Sequence, residues 1–312
     1  MTDHRATANP SRRHALECMI WAGTGVLWTL QGGVPTALGL LGQAQAATPA
    51  FSFLQISDSH VGFDKPANPN ALETLKEAIA RVNAMAAKPA FMLHTGDITH
   101  LSKPGEFDNA DQVIGEAKLT THYVPGEHDI IDADRGKAYL DRYGKGSKGA
   151  GWYSFDDHGV HFIGLVNVVD LKAGGLGNLG ADQLAWLDAD LRDRTASTPI
   201  VVFAHIPLWT IHAAWGWGTD DGERALQMLQ RFGSVTVLNG HIHQLIQKVE
   251  GNITFHTANS TAFPQPAPGT APSPGPMLVP AEQLRQKLGI TSVSVVEGKQ
   301  ALALVDSTLA GA

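Results

Sequence analysis

Short runs of consecutive apolar residues alternate along this chain with longer stretches whose apolar positions recur every three or four residues. Phe51–Ile56 and residues 91–94, 122–124, 200–204 and 235–238 are brief and almost wholly apolar, the pattern of strands buried on both faces. Residues 71–86, 107–117, 181–191 and 223–231 carry the helical period. Strands alternating with helices predict an α/β sheet with helices on its faces.

Three further segments interrupt that alternation and read as hairpins. Residues 152–155 and 161–166 flank Asp157-His158-Gly159, and 245–249 and 254–256 flank Glu250-Gly251-Asn252. Residues 293–296 and 301–305 flank Glu297-Gly298-Lys299. A mixed sheet, or two sheets packed together, accommodates them better than a purely parallel one. Seven prolines between Pro264 and Pro280 make that stretch an extended connector or loop, with a short helix over 281–288 beyond it. The last hairpin either completes a second sheet or stands apart.

Composition narrows the chemistry. The chain has 312 residues, 43% of them hydrophobic, enough for a large core. Its net charge is −7 and no stretch is strongly basic, so a nucleic-acid groove has no electrostatic footing. The only cysteine is Cys18. Any metal site beyond it must be built from nitrogen and oxygen donors. Histidine is the unusual count: 14, twelve of them beyond residue 46.

The N-terminal residues 1–46 read as a targeting segment. A polar start leads to Ser11-Arg12-Arg13, an apolar stretch runs from Cys18 to Leu41, and Ala44-Gln45-Ala46 closes it with small residues. The paired arginines resemble a twin-arginine export signal, although Ala15 and Glu17 stand where that pattern favours an aromatic residue and a lysine. The expectation is an exported, periplasmic protein handled by the export machinery, with no stable membrane insertion after cleavage. An uncleaved membrane anchor is the alternative, disfavoured by the glycines and Pro35 that break the apolar run.

Five polar clusters stand where strands should end: Asp58-Ser59-His60, Gly96-Asp97, Gly126-Glu127-His128-Asp129, His205 and Gly240-His241-Ile242-His243. In open α/β sheets ligands gather beyond the carboxyl ends of strands, so the five should converge. Imidazole and carboxylate together suit Mn, Fe or Zn. In Asp58-x-His60 and His241-x-His243, alternation along an extended segment would turn both side chains the same way. A carboxylate has two oxygens and can bridge a pair of cations that bind phosphate and activate water.

The order D-x-H, G-D, G-N-H-D/E, H, G-H-x-H over residues 58–243 resembles the calcineurin-like metallophosphoesterases. That resemblance implies a β-sandwich of two mixed sheets flanked by helices, a four-layer α/β/β/α fold. It implies a metallophosphoesterase domain over residues 47–263, with the connector at 264–280 and a C-terminal helix and hairpin at 281–312. It implies two divalent or mixed-valence ions, with Asp58, His60 and His243 holding one, Glu127, His205 and His241 the other, and Asp97 bridging. His128 would act at the leaving-group oxygen or the phosphate, and Asp129 would orient it. The activity implied is hydrolysis of a small phosphomonoester or phosphodiester by metal-bound hydroxide.

Glu127 departs from the pattern, because the family usually has Asn there. A third carboxylate should tighten cation binding and lessen Lewis acidity. Three readings follow: an enzyme of altered metal preference, Glu127 as a base, or a metal- or phosphate-binding protein with little turnover. His100 stands where purple acid phosphatases have a tyrosine ligand, and it reads as a neighbour of the site more than a ligand. Trp209, Trp215 and Trp217 either wall the site for an apolar leaving group or pack within their loop. The glycine-rich 174–180 stretch lacks the phosphate-loop form and reads as a connector. Asn167 and His256 are weaker candidates for neighbours of the site.

Overall fold

All five apolar runs form strands in the computed structural model, which describes residues 27–31, 34–38, 51–295 and 302–310. Leu27–Gln31 (β1) and Val34–Leu38 (β2) pair antiparallel within a separate N-terminal unit. The remainder of the residues predicted as an export signal lie outside the described ones. Among the described residues no helix is long and apolar enough to cross a membrane.

From residue 49 onward the chain is one unit built on two sheets. Phe51–Ile56 (β3), Met92–His94 (β4) and Thr121–Tyr123 (β5) run parallel. Gly289–Val295 (β12) adds antiparallel to β3, and Ala303–Thr308 (β13) to β12, giving the order β13-β12-β3-β4-β5. The C-terminal hairpin therefore completes this sheet.

The second sheet centres on Val160–Gly164 (β7), Ile200–Phe203 (β8), Val235–Asn239 (β9) and Ile253–Thr257 (β11), all parallel. Tyr153–Asp157 (β6) and Gln247–Glu250 (β10) flank them antiparallel at the edges. Two of the predicted hairpins are thus β6–β7 and β10–β11. The parallel strands put the carboxyl ends of β3, β4, β5, β8 and β9 to common use.

Strand alternation sorts the core into layers. Phe53 points into the sandwich, where Phe91, Leu93, Phe162, Phe203 and Val293 meet it. The Phe53 ring stacks on Phe91 at 5.1 Å and meets Phe162 edge-on at 5.3 Å. Burying each such ring contributes about 1.5–3 kcal/mol. Leu54 and Ile56, on the opposite face of β3, pack against Ala71–Asn83 (α1) and Pro104–Gly115 (α2). The outer face of the other sheet packs on Ala181–Leu191 (α4) and Gly222–Leu229 (α5). Short helices Lys137–Tyr143 (α3) and Ala281–Lys287 (α6) complete the set. The layers run helix, sheet, sheet, helix, as expected.

Several helix bounds differ from the sequence expectation by one to three residues. α1 stops at Asn83 instead of 86, and is capped at its start by the Asn70 side chain accepting from the Glu73 N–H at 3.1 Å. α2 begins at Pro104, ahead of the expected 107, because proline has no N–H to leave unsatisfied in a first turn.

Candidate metal centre

Each polar cluster leaves the end of a parallel strand. Asp58 and His60 follow β3, Asp97 follows β4, Glu127 and His128 follow β5, His205 follows β8, and His241 and His243 follow β9. The chain does not use strand alternation to bring them together. Asp58, His60, Asp97, His241 and His243 all have left-handed backbones, with φ of 54°, 39°, 53°, 69° and 52°. Such conformations cost non-glycine residues of order 1–3 kcal/mol each and cluster where a site demands them. The extended geometry expected for Asp58-x-His60 and His241-x-His243 is therefore corrected: left-handed turns bring these pairs together.

Backbone hydrogen bonds make those turns rigid. Beyond the paired strands, the Asp58 N–H donates to the Gly96 carbonyl (3.0 Å), His60 to Asp97 (2.8 Å) and Val61 to Ile98 (2.9 Å). The motif glycines are there for close approach. A Cβ on Gly126 would lie 2.0 Å from Asp97 Oδ1, one on Gly240 would lie 2.5 Å from Asp58 Oδ2, and one on Gly96 would lie 2.5 Å from His205 Nδ1.

The seven predicted ligands converge into two adjoining sets. His243 Nε2 lies 3.1 Å from Asp58 Oδ1 and 3.3 Å from His60 Nε2. Glu127 spans His205 Nε2 at 2.9 Å and His241 Nδ1 at 3.0 Å. Asp97 Oδ2 is 3.4 Å from His60 Nε2 in the first set and 3.4 Å from His205 Nε2 in the second. In each of the triads Asp58/His60/His243 and Glu127/His205/His241, all ligand atoms fall within 4.8 Å of one another.

The donor set fits divalent cations. His205 Nε2 and Glu127 Oε2 are buried and neither makes a hydrogen bond, despite lying 2.9 Å apart. Orphaned buried polar atoms are rare unless something else satisfies them. Their neighbours fix the useful tautomers. His205 donates from Nδ1 to the Thr95 carbonyl (2.7 Å) and His243 from Nδ1 to the Phe263 carbonyl (2.5 Å), which leaves each Nε2 free to ligate.

Electrostatics are correspondingly strained. Burial pushes the Asp58 carboxyl up, but His243 and His205 overcome it and hold the pKa at about 2. Burial likewise raises Glu127, and His241 and His205 bring it well below the carboxylate range. Burial lowers His205, and Asp97 and Glu127 lift it well above the usual imidazole value. Buried carboxylates that stay ionised suit a cation.

His128 sits at the more open rim with Glu127 and His241. It donates from Nδ1 to the His100 carbonyl at 2.7 Å, and its own N–H donates to Asp97 Oδ1 at 3.0 Å. Burial lowers its pKa, but Asp97 and Glu127 outweigh that and raise it. Asp129 does not serve as predicted. Its carboxylate accepts from the N–H groups of Ile98 (3.1 Å), Thr99 (2.8 Å) and Gly126 (2.9 Å) and from the Thr99 hydroxyl (2.9 Å). It ties the loop after β4 to the loop after β5, and the His100 carbonyl orients His128 instead.

Other candidates separate clearly. Trp217 is buried and meets Trp215 edge-on at 5.1 Å, so it packs within its loop. Trp209 packs on Phe255 at 4.6 Å. The glycine-rich stretch pairs with that loop through Gly177 and Thr219. Asn167 holds the segment after His205 by donating to the Ile206 carbonyl at 2.7 Å. His256 pairs with Asp306 at 3.0 Å, away from the seven ligands. Sequence reasoning missed Phe263, whose ring lies 4.7 Å from His60 and 4.6 Å from His243. No pattern in the sequence marked it.

The calcineurin-like phosphoesterase family model matches residues 51–245, spanning all seven candidate ligands. The chain is 24% identical over 220 residues to a 3',5'-cyclic-nucleotide phosphodiesterase of Nostoc sp., covering 68% of this chain and 79% of that one. It is 26% identical over 195 residues to a glycerophosphodiester phosphodiesterase of Enterobacter lignolyticus, covering 61% and 69%. Among solved structures, a dimetal phosphatase from Danio rerio superposes with a TM-score of 0.61 at 14% identity, over 84% of this chain and 97% of that one. The family model covers more than half of the sequence and the site lies within it: the chain belongs to the calcineurin-like phosphoesterases.

Proposed function

We propose that this protein is a two-metal hydrolase of small phosphoric esters, with phosphodiesters the first substrates to test. The observation that carries the reading is Asp97, whose Oδ2 lies 3.4 Å from a ligand nitrogen in each set. Asp58, His60 and His243 would hold one cation, Glu127, His205 and His241 the other, and Asp97 would bridge them. The phosphodiesterase names of two relatives favour diesters over monoesters. When bound, such a pair neutralises phosphate charge and lowers the pKa of water.

The chain's own residues supply the rest. Phe263 backs the imidazoles of His60 and His243. The Asp129 hydrogen bonds hold the loops that carry Asp97 and Glu127 in register. His128 keeps Nδ1 engaged with the His100 carbonyl, so Nε2 is the ring atom free to hold a proton. A ring nitrogen of His128 lies within 4.8 Å of ligand oxygens of Asp97 and Glu127, close enough to serve the leaving-group oxygen of a bound ester. General-acid assistance of that kind contributes typically 10²–10⁴-fold.

Glu127 reaches an imidazole with each of its oxygens, which supports its place as a working ligand in the position where Asn is usual. We also propose export of the chain through residues 1–46, on the strength of Arg12-Arg13, the apolar stretch and Ala44-Gln45-Ala46. The functional test is to purify the protein without residues 1–46, load it with Mn, Fe or Zn, and assay mono- and diesters. Turnover that disappears in Asp97→Asn supports the reading. Turnover unchanged in that variant, or none with any metal, removes it.

A further inference from the structure

His100 touches both halves of the machinery. Its position is rigid: its N–H donates to the Val61 carbonyl at 3.0 Å, extending the hydrogen-bond run between residues 58–61 and 96–98. Phe63 meets its ring edge-on at 5.1 Å. On one side the ring stacks on His128, with centroids 4.9 Å apart and planes 16° from parallel. The His60 ring lies edge-on to it at 5.5 Å, with His100 Nδ1 3.5 Å from His60 Nδ1, and His60 also meets His128 at 4.8 Å.

The comparison among the ligand imidazoles gives that contact meaning. A ligating imidazole needs its far nitrogen anchored, so that the near one presents a lone pair. For His205 and His243 the anchor is a backbone carbonyl, from Thr95 and Phe263. For His60 the partner is the side chain of His100. With a cation held at His60 Nε2, beside Asp97 and His243, His60 Nδ1 would carry the hydrogen and His100 Nδ1 would accept it.

We infer that His100 is a positioning residue with two separable duties: its Nδ1 fixes the cation-facing tautomer of His60, and its ring plane fixes the orientation of His128. The inference rests on the two-metal reading of the site. A third duty, the backbone carbonyl that accepts from His128, survives any substitution. The side-chain duties can therefore be examined alone.

Three variants separate them. His100→Phe keeps a flat ring against His128 and deletes the acceptor. His100→Gln keeps an acceptor and deletes the ring. His100→Ala deletes both. The readouts are Mn affinity by calorimetry, imidazole tautomers by long-range proton–nitrogen NMR of the Zn-loaded protein, and kcat and KM for esters with good and poor leaving groups.

Loss of an anchor of this kind typically costs 10–100-fold in metal affinity or activity. Mn binding at one of the two sites should weaken by about that factor in His100→Phe and His100→Ala, with recovery in His100→Gln. The kcat for poor leaving groups should fall in His100→Ala and His100→Gln and hold in His100→Phe at saturating metal, with KM little changed. Wild-type affinity and a wild-type His60 tautomer in both His100→Phe and His100→Ala would overturn the inference. So would equal kcat losses for good and poor leaving groups in His100→Ala. If the wild type hydrolyses no ester, the affinities and tautomers still decide the matter, because neither needs turnover.

Discussion

Gly126→Ala should disable the site while leaving the fold in place. A Cβ there would lie 2.0 Å from Asp97 Oδ1 and 2.3 Å from the Asp97 backbone nitrogen. Gly126 has φ −94°, so alanine suffers no backbone strain and the whole effect is steric. Relieving the contact to about 3.4 Å requires the two loops to part by more than an ångström, roughly the misplacement that costs 10²-fold in rate. The bond from the His128 N–H to Asp97 Oδ1 (3.0 Å) and that from the Gly126 N–H to Asp129 Oδ2 (2.9 Å) would stretch with it. Activity should fall at least about 100-fold, near 2.7 kcal/mol in the barrier. Overpacking should cost about 1–3 kcal/mol of stability. Gly105→Ala is the control, because a Cβ there meets nothing within 4 Å and lies in α2, where alanine gains up to about 1 kcal/mol. The assay is kcat/KM with metal content by elemental analysis, beside thermal unfolding. Wild-type rate and metal content in Gly126→Ala would refute the claim that close approach of these loops positions Asp97.

Other expectations follow from the same geometry. Glu127→Asn removes a carboxylate that faces two imidazoles, so the second cation should dissociate more readily; unchanged metal content and rate would show that the substitution does not tune the site. In protein stripped by a chelator, the raised His205 pKa means its contribution to stability is full below about pH 6.5 and is lost as pH rises through the folded value. A cation must displace that proton, so Zn affinity should climb with pH over the same range and proton release should accompany binding; a flat profile would contradict this. Asp129→Asn should lower stability by about 1–3 kcal/mol through the loop N–H groups it would leave poorly matched, as read by denaturant unfolding; no loss would count against its tying role. Replacing Arg12 and Arg13 by Lys should hold the protein in the cytoplasm, and N-terminal sequencing of the exported form should begin just after Ala46; export unaffected by the change would remove the twin-arginine reading.

Much of the candidate site was legible because each candidate ligand sits beside a strand signal. Buried parallel strands read as continuous apolar runs, so the ends of β3, β4, β5, β8 and β9 could be located and the polar residues beyond them singled out. The glycines at 96, 126 and 240 mark where those loops come closest, since a Cβ at each would collide with His205, Asp97 or Asp58. What escaped has a common physical origin. Thr95 and Phe263 act through backbone carbonyls, which every residue possesses, and they meet His205 and His243 across 110 and 20 residues of chain. Asp129 stands beside His128 in sequence, but its carboxylate turns to N–H groups 30 residues away in the loop after β4. The left-handed backbones at Asp58, His60, Asp97, His241 and His243 are set by tertiary hydrogen bonds against local preference. The C-terminal hairpin carried no signal for which strand it would join. Its partner, β3, lies far back in the chain.

The central claim is that Asp97 lies between two cations. Electron paramagnetic resonance of the Mn-loaded protein tests it most directly. The account predicts two bound ions per chain with the signal of an exchange-coupled pair, and loss of that coupling in Asp97→Ala. A single ion per chain, or two uncoupled ions in the wild type, would contradict it.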